Sequence, residues 1–194
     1  AVIPAGLWLT WQTGPGLLLI GAGGLFAGRA YSAPPLKLMS RGLGELAIAA
    51  GWLLVVVGTD YVQRGSFDVL PAAAGLSYAL LVANLLFINQ FPDRTGDAAT
   101  GKNTLVVKLG PQAAKWGYLL IAIVAYGWLV GMSSNGTLPQ KTAAAAMTLV
   151  LSFSAGRELL QHAEDPAELG PAIKRTILAA NLHGLILAGA LAFG

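Results

Sequence analysis

Long apolar runs recur along this chain, and they restrict its fold more than any other feature. Six runs approach or exceed the roughly 20 residues that a helix needs to cross a bilayer: 14–33, 43–60, 69–91, 116–133, 139–156 and 176–193. A seventh run, at 1–12, is shorter, and we interpret it as the end of a helix that begins earlier. The apolarity is continuous, without the alternation that is typical of membrane barrels. The runs therefore predict an all-α, polytopic membrane protein.

Composition argues against the main alternative, a water-soluble helical domain. Charged residues make up only 11% of the 194 residues and hydrophobic residues 55%, whereas soluble domains carry roughly 25% charged residues. The chain has no cysteine, which excludes disulfides and thiolate metal sites. We treat residues 1–194 as one domain. Because residue 1 is an alanine within apolar sequence, we expect the chain to lack N-terminal sequence.

Basic residues are distributed unevenly between the loops. Alternating the loops across the membrane places ten on one side: Arg29, Lys37, Arg41, Arg94, Lys102, Lys108, Lys115, Arg157, Lys174 and Arg175. Only Arg64 and Lys141 fall on the other. The positive-inside rule predicts that loops 34–42, 92–115 and 157–175 face the cytoplasm, in a bacterial or archaeal cell membrane. The net charge of +3 is thus a topology signal and indicates no nucleic-acid partner.

Two carboxylates four residues apart, Asp93 and Asp97, lie where an apolar run meets a basic loop. This spacing puts both on one side of a helix, and the amide of Asn89 lies one turn earlier. Oxygen ligands at this density suit Mg²⁺ holding a substrate phosphate. Lys102 adds positive charge that suits the same phosphate. The stretch is therefore a candidate metal–phosphate site.

Four other residues in apolar surroundings have structural as well as functional interpretations. Pro92 is expected to bend or end the helix, which would let the carboxylates point into a cavity. Asn84 and His183 are more simply interhelical hydrogen-bonding residues than ligands. Glu45, at the start of a run, either complements the helix dipole or orients a substrate-binding base.

Tyr31 and Lys37 flank the double proline at 34–35, which stops a helix. They would lie at a cytoplasmic mouth. As site residues they would contact a substrate. Alternatively, Tyr31 is an interfacial anchor and Lys37 a topology charge.

The stretch from Asn89 to Leu105, a DxxxD followed by GK-x-TL, resembles the second aspartate-rich motif of the UbiA-type intramembrane prenyltransferases. GLGE at 42–45, GTDY at 58–61 and LG at 109–110 resemble the 1,4-dihydroxy-2-naphthoate polyprenyltransferase branch, which makes menaquinone precursors. YSAPPLK at 31–37 is more similar to the chlorophyll synthase and homogentisate branches. The resemblance covers essentially the whole chain. It implies nine transmembrane helices around a central cavity, of which about six to seven are present here.

The resemblance implies transfer of a polyprenyl group from polyprenyl diphosphate to an aromatic acceptor, with Mg²⁺ bridging the diphosphate. Carried over by position, Asn89, Asp93 and Asp97 would be the metal ligands. The family's facing first aspartate motif is not matched, because no acidic residue precedes Glu45. We expect that motif in sequence upstream of residue 1. The competing hypothesis is a non-catalytic membrane subunit that binds a quinone, pigment or lipid within a larger assembly.

Four more residues take roles by the same resemblance. Arg94 and Lys102 would neutralise the leaving diphosphate. Tyr31 would border the developing allylic cation, where an aromatic face stabilises positive charge. Lys37 corresponds to a diphosphate-binding lysine, although six residues separate it from Tyr31 where the family often has four.

Overall fold

The computed structural model describes residues 2–193, and every regular element in that range is helical. The α-helices are α1 (Val2–Thr13), α2 (Gly16–Ser32), α3 (Gly44–Arg64), α4 (Val69–Ala99), α5 (Leu105–Leu109), α6 (Pro111–Ser134), α7 (Leu149–His162) and α8 (Gly170–Ala192). Short 3₁₀ helices occupy Leu38–Ser40, Gln140–Thr148 and Pro166–Leu169. The predicted all-α fold is confirmed.

Five helical stretches are long and apolar enough to cross a membrane: Gly44–Arg64, Val69–Ala99, Pro111–Ser134, Gln140–His162 and Pro166–Ala192. Each coincides with a predicted apolar run. The two remaining runs form α2, which has 17 residues, and α1, which has 12. Large apolar side chains such as Leu19 and Leu185 are exposed on the bundle surface, where a bilayer would surround them. The protein is an integral membrane protein.

The central helix of the bundle is α4, which packs against α3, α6 and α8. Ala73, Ala79 and Ala83 on α4 are at most 3% exposed, and such small side chains let neighbouring helices approach closely. Helices α4 and α6 also pack closely. A Cβ added to Gly117 would lie 2.8 Å from the ring of Phe87, so this position has no room for a side chain.

Buried polar side chains tie the helices together. Asn84 Nδ2 on α4 donates to the backbone oxygen of Tyr118 on α6 at 3.1 Å. The His183 ring on α8 lies 3.0 Å from Ser77 Oγ and 3.2 Å from the backbone oxygen of Ala145. Both residues therefore make the interhelical hydrogen bonds that the sequence favoured.

Pro92 does not end its helix, so that part of the prediction is wrong: α4 continues without interruption to Ala99. Proline donates no backbone hydrogen bond, and in a helix interior this costs about 3 kcal/mol. Packing offsets the loss, because Phe87, Ile88 and Phe91 in the preceding turn are at most 1% exposed. As a result, the residues on both sides of Pro92 share one helical register.

The basic loops meet at one end of the bundle. Lys108 Nζ donates to the backbone oxygen of Arg41 at 2.6 Å, which joins loop 34–42 to the segment after α4. Arg94 Nη2 donates to the backbone oxygen of Glu164 at 3.3 Å, which joins α4 to the loop after α7. We call this end the basic end; the candidate site lies there.

Candidate active site

A cavity of about 90 Å³ opens at the basic end between the end of α2, the start of α3, α4 and the loop after it. Its lining residues are Tyr31, Met39, Gly44, Leu86, Asn89, Gln90, Asp93, Asp97, Lys102 and Thr104. Five of the seven predicted site residues are in this set. The structure therefore brings together residues from four separate segments of the chain.

The oxygen ligands predicted from the motif share one face of α4. Asn89, Asp93 and Asp97 follow one another at intervals of four residues, so they rise along the helix by roughly 6 Å per step. All three line the cavity. Because α4 is continuous through Pro92, a single regular helix, rather than a broken one, aligns them. Asp93 is exposed and Asp97 half-buried, which leaves the carboxylates accessible from the basic end.

Lys102 reaches the site by a turn directly after α4. Gly101 has a φ of +72°, a left-handed conformation that favours glycine, and the backbone N–H of Lys102 donates to the backbone oxygen of Asp97 at 2.8 Å. The turn returns the lysine side chain to α4, where Nζ lies 3.2 Å from Asp97 Oδ1. The carboxylate and the ammonium group thus neutralise each other at the edge of the cavity.

Two predicted site residues lie elsewhere. Arg94 is about 100° around the helix from Asp93, and its guanidinium contacts the loop after α7 at Glu164. Lys37 is exposed in the loop after α2, with a φ of +44°. Neither lines the cavity, and their roles in binding diphosphate stay predictions.

The structure adds a buried polar group that was not among the predicted site residues. Gln90, 7% exposed, lines the cavity beside Asn89. Its Nε2 donates to Glu45 Oε1 at the start of α3, and its Oε1 accepts from the backbone N–H of Val106 at 3.5 Å. The sequence signal for Gln90 was a polar side chain within the apolar α4. No feature of the sequence indicated its hydrogen bond to Glu45, which is 45 residues away.

An apolar groove adjoins the cavity through Tyr31, which lines both. The groove has a volume of about 340 Å³, and its other lining residues are Gly24, Ala27, Gly28, Ala47, Ile48, Gly51, Trp52 and Val55 on α2 and α3. Tyr31 therefore marks the boundary between oxygen-rich and apolar surroundings. This combination suits an amphiphilic ligand with a polar head and an apolar chain.

The residues present fit a Mg²⁺ ion that is shared with a substrate. Mg²⁺ in proteins is often held by one or two carboxylates, with phosphate oxygens and water completing its coordination. Asp93 and Asp97 supply carboxylates and Asn89 an amide oxygen. Residues 2–193 contain no cluster of three His, Cys, Asp or Glu side chains able to hold a metal by themselves, so the remaining ligands would come from the substrate and water.

Comparison with known proteins identifies the family. The model of the UbiA prenyltransferase family matches residues 1–170. The chain belongs to this family. The UbiA relatives include a 1,4-dihydroxy-2-naphthoate octaprenyltransferase of Mycobacterium tuberculosis, 30% identical over 98% of this chain and 64% of the relative. They also include the chloroplastic chlorophyll synthase of Arabidopsis thaliana, 30% identical over 58% of this chain and 30% of the relative.

A third UbiA relative has another acceptor in its name. It is a 2-carboxy-1,4-naphthoquinone phytyltransferase of Synechocystis, 25% identical over 89% of this chain and 56% of the relative. This chain spans less than two thirds of the length of these relatives. No solved structure matches it significantly.

Proposed function

We propose that this UbiA family protein transfers a polyprenyl group from polyprenyl diphosphate to an aromatic acceptor within the membrane. The observation that carries the proposal is the oxygen-lined cavity that meets an apolar groove at Tyr31. A prenyl diphosphate has the same division, with an anionic head and a long apolar chain. The acceptor that we favour is 1,4-dihydroxy-2-naphthoate, because relatives with that activity in their names match nearly the whole chain.

In this proposal the diphosphate head lies against the Asn89, Asp93 and Asp97 face of α4, at the exposed side of the cavity. Asn89, Asp93 and Asp97 would hold Mg²⁺, which when bound neutralises charge on the departing diphosphate. Lys102 leaves Asp97 and donates to a diphosphate oxygen. The bond between the allylic carbon and the diphosphate oxygen breaks, and its electron pair leaves with the diphosphate. An acceptor ring carbon bonds the allylic carbon, and the proton on that ring carbon passes to the departed diphosphate.

Tyr31 stabilises the developing cation in this scheme. It lines both the cavity and the groove, so we place the allylic carbon, where the head joins the chain, beside its ring. An aromatic face there stabilises the developing positive charge. Met39 and Leu86, which also line the cavity, keep water away from the cation.

The membrane orientation is part of the same proposal. Prenyl diphosphate reaches the site from the side on which the three basic loops lie, and the positive-inside rule makes that side cytoplasmic, in a bacterial or archaeal cell membrane. The lipid bilayer supplies the prenyl substrate and surrounds the exposed apolar surface.

Two alternatives rest on specific observations. The YSAPPLK stretch at 31–37 resembles the chlorophyll synthase and homogentisate branches. Together with the match to a chlorophyll synthase, it favours a chlorophyllide or homogentisate acceptor. A non-catalytic subunit, binding a quinone, pigment or lipid in a larger assembly, would hold that ligand in the apolar groove. The carboxylates on the cavity wall favour catalysis, because they supply the oxygen ligands that Mg²⁺ needs to hold a diphosphate.

The test is Mg²⁺-dependent prenyl transfer by the purified protein in lipid nanodiscs, with the naphthoate, homogentisate and chlorophyllide acceptors in competition. Asp93→Asn should lower kcat by at least about 100-fold, since metal stabilisation of the leaving group is worth several kcal/mol. Asp165→Asn, at the same end but outside the cavity, is the matched control and should retain activity. Undiminished turnover in Asp93→Asn would refute the assigned role.

A further inference from the structure

We propose that Glu45, Gln90 and Thr104 form a binding subsite for a hydroxyl group of the aromatic acceptor. This inference rests on the proposed function for the identity of the acceptor. The three residues come from the start of α3, from α4 and from the residue before α5. Gln90 Nε2 donates to Glu45, and Gln90 and Thr104 line the same cavity. They are separate from the carboxylate face of Asp93 and Asp97.

The orientation of the Gln90 amide is fixed from both ends. A carboxylate accepts hydrogen bonds and a backbone N–H donates them, so Nε2 must face Glu45 and Oε1 must face Val106, as they do. Nε2 has a second hydrogen beyond the one that Glu45 uses. Gln90 therefore offers a donor of defined direction at the cavity wall.

Two buried oxygens, one on the hydrogen-bond partner of Gln90 and one on a residue that lines the same cavity, have no hydrogen-bond partner among residues 2–193. They are Glu45 Oε2 and Thr104 Oγ1. Glu45 is 6% exposed and Thr104 7% exposed, so bulk water has little access to either side chain. Buried polar groups in native proteins nearly always have a partner, and a buried carboxylate oxygen without one is costly. A ligand that donates a hydrogen bond would satisfy them.

The chemistry of the group selects its ligand. Glu45 makes no ion pair within the described residues, so its carboxylate repels the diphosphate that the Asp93 face binds through a cation. A neutral hydroxyl group has what this subsite lacks, a donor for Glu45 Oε2 and an acceptor for the second Nε2 hydrogen of Gln90. The 4-hydroxyl of 1,4-dihydroxy-2-naphthoate is such a group, because it is the hydroxyl farther from the ring carboxylate that Glu45 would repel.

The size of the cavity sets how much of the acceptor enters. A cavity of about 90 Å³ is smaller than the roughly 300–1,000 Å³ of sites that enclose a whole drug-sized ligand, so a hydroxyl group and the edge of a ring enter it while the rest of the acceptor stays outside. The remaining ring would lie towards Tyr31, which contacts both cavity and groove. A hydroxyl held at Glu45 thereby directs the ring edge towards the proposed position of the allylic carbon.

The experiment measures binding separately from turnover. Binding of 1,4-dihydroxy-2-naphthoate and of its 1,4-dimethoxy analogue is followed by fluorescence in nanodiscs without prenyl diphosphate. Wild-type protein should bind the dihydroxy compound about tenfold more tightly, as expected for a hydrogen bond to a charged group. Glu45→Gln and Thr104→Val should each lower the affinity for the dihydroxy compound and leave the affinity for the dimethoxy analogue unchanged.

The control variant is Glu158→Gln, which removes a carboxylate that pairs with Arg175 at the same end, outside the cavity. It should change neither affinity. In turnover assays, Glu45→Gln should raise the KM for the acceptor and leave that for prenyl diphosphate within about twofold. Equal weakening of both naphthoates by Glu45→Gln would overturn the subsite, since a merely structural role predicts that. If the wild-type protein bound the two compounds with this selectivity but transferred no prenyl group, the proposed function alone would be refuted.

Discussion

Lys102 and Asp97 hold each other at 3.2 Å at the edge of the cavity, and this pair must separate if both are to contact substrate. The lysine side chain is 42% exposed and that of Asp97 13% exposed. Exposed or partly exposed pairs contribute at most about 1 kcal/mol. The pair is thus weak enough for a cation and an anion to displace it together.

Replacement of Lys102 by methionine should change two affinities in opposite directions. Without its ammonium partner, Asp97 is free to bind Mg²⁺, so the ligand-free protein should bind the ion up to about fivefold more tightly. The variant should bind prenyl diphosphate about tenfold more weakly, because a charge-assisted hydrogen bond is lost. Calorimetric titration with each ligand measures both changes.

The matched control is Lys108→Met. Lys108 is in the same segment after α4, but its ammonium group contacts the backbone oxygen of Arg41 and does not line the cavity. Both affinities should stay at their wild-type values. If Lys102→Met lowered the affinities for Mg²⁺ and for prenyl diphosphate alike, the proposal that both ligands displace the Lys102–Asp97 pair would be wrong.

At the scale of the helix, α4 acts as one rigid support for the site. It packs against α3, α6 and α8, and its last three turns carry the proposed metal–phosphate face. The Phe87 and Phe91 rings, 5.7 Å apart in an edge arrangement, lie in the core that supports these turns. Changes in this core should therefore affect the stability of the site.

Two glycines on α6 test that packing. A Cβ at Gly117 would lie 2.8 Å from the Phe87 ring, whereas a Cβ at Gly127 would meet nothing within 4 Å. Gly117→Ala should destabilise the protein by about 1–3 kcal/mol through overpacking. Gly127→Ala should be neutral or stabilising by up to about 1 kcal/mol through helix propensity. Thermal unfolding in detergent compares them, and equal effects would contradict the close α4–α6 contact.

At the scale of the whole molecule, the position of the site depends on which side of the membrane the basic end faces. The chain has no cysteine, so single cysteines can be introduced without background. Glu164→Cys reports on the basic end, beside the contact with Arg94. Ser134→Cys reports on the opposite end, at the end of α6.

We expect a membrane-impermeant maleimide to label Ser134→Cys in intact cells and Glu164→Cys only after the cells are opened. The reason is the excess of lysine and arginine in the loops at the basic end. The wild-type protein is the control and should not react. Labelling of Glu164→Cys in intact cells would place the site outside the cytoplasm and contradict the proposed route of prenyl diphosphate.

Features set by short-range spacing were predictable from the sequence. Apolar runs of membrane length determined an all-helical fold, because a backbone in lipid must satisfy its own hydrogen bonds. The intervals of four residues between Asn89, Asp93 and Asp97 determined that they share a helix face. The charge distribution predicted which loops lie together, and contacts between those loops at one end agree with it.

Features that depend on distant partners were decided only by the tertiary structure. Arg94 and Asp93 are neighbours in the sequence, yet the loop after α7 takes the arginine away from the cavity. Pro92 continues a helix because buried aromatic packing outweighs a missing hydrogen bond. Glu45 reaches Gln90 because α3 packs on α4. Local periodicity fixes which way a side chain leaves its helix, whereas the packing of helices far apart in the sequence fixes what that side chain meets.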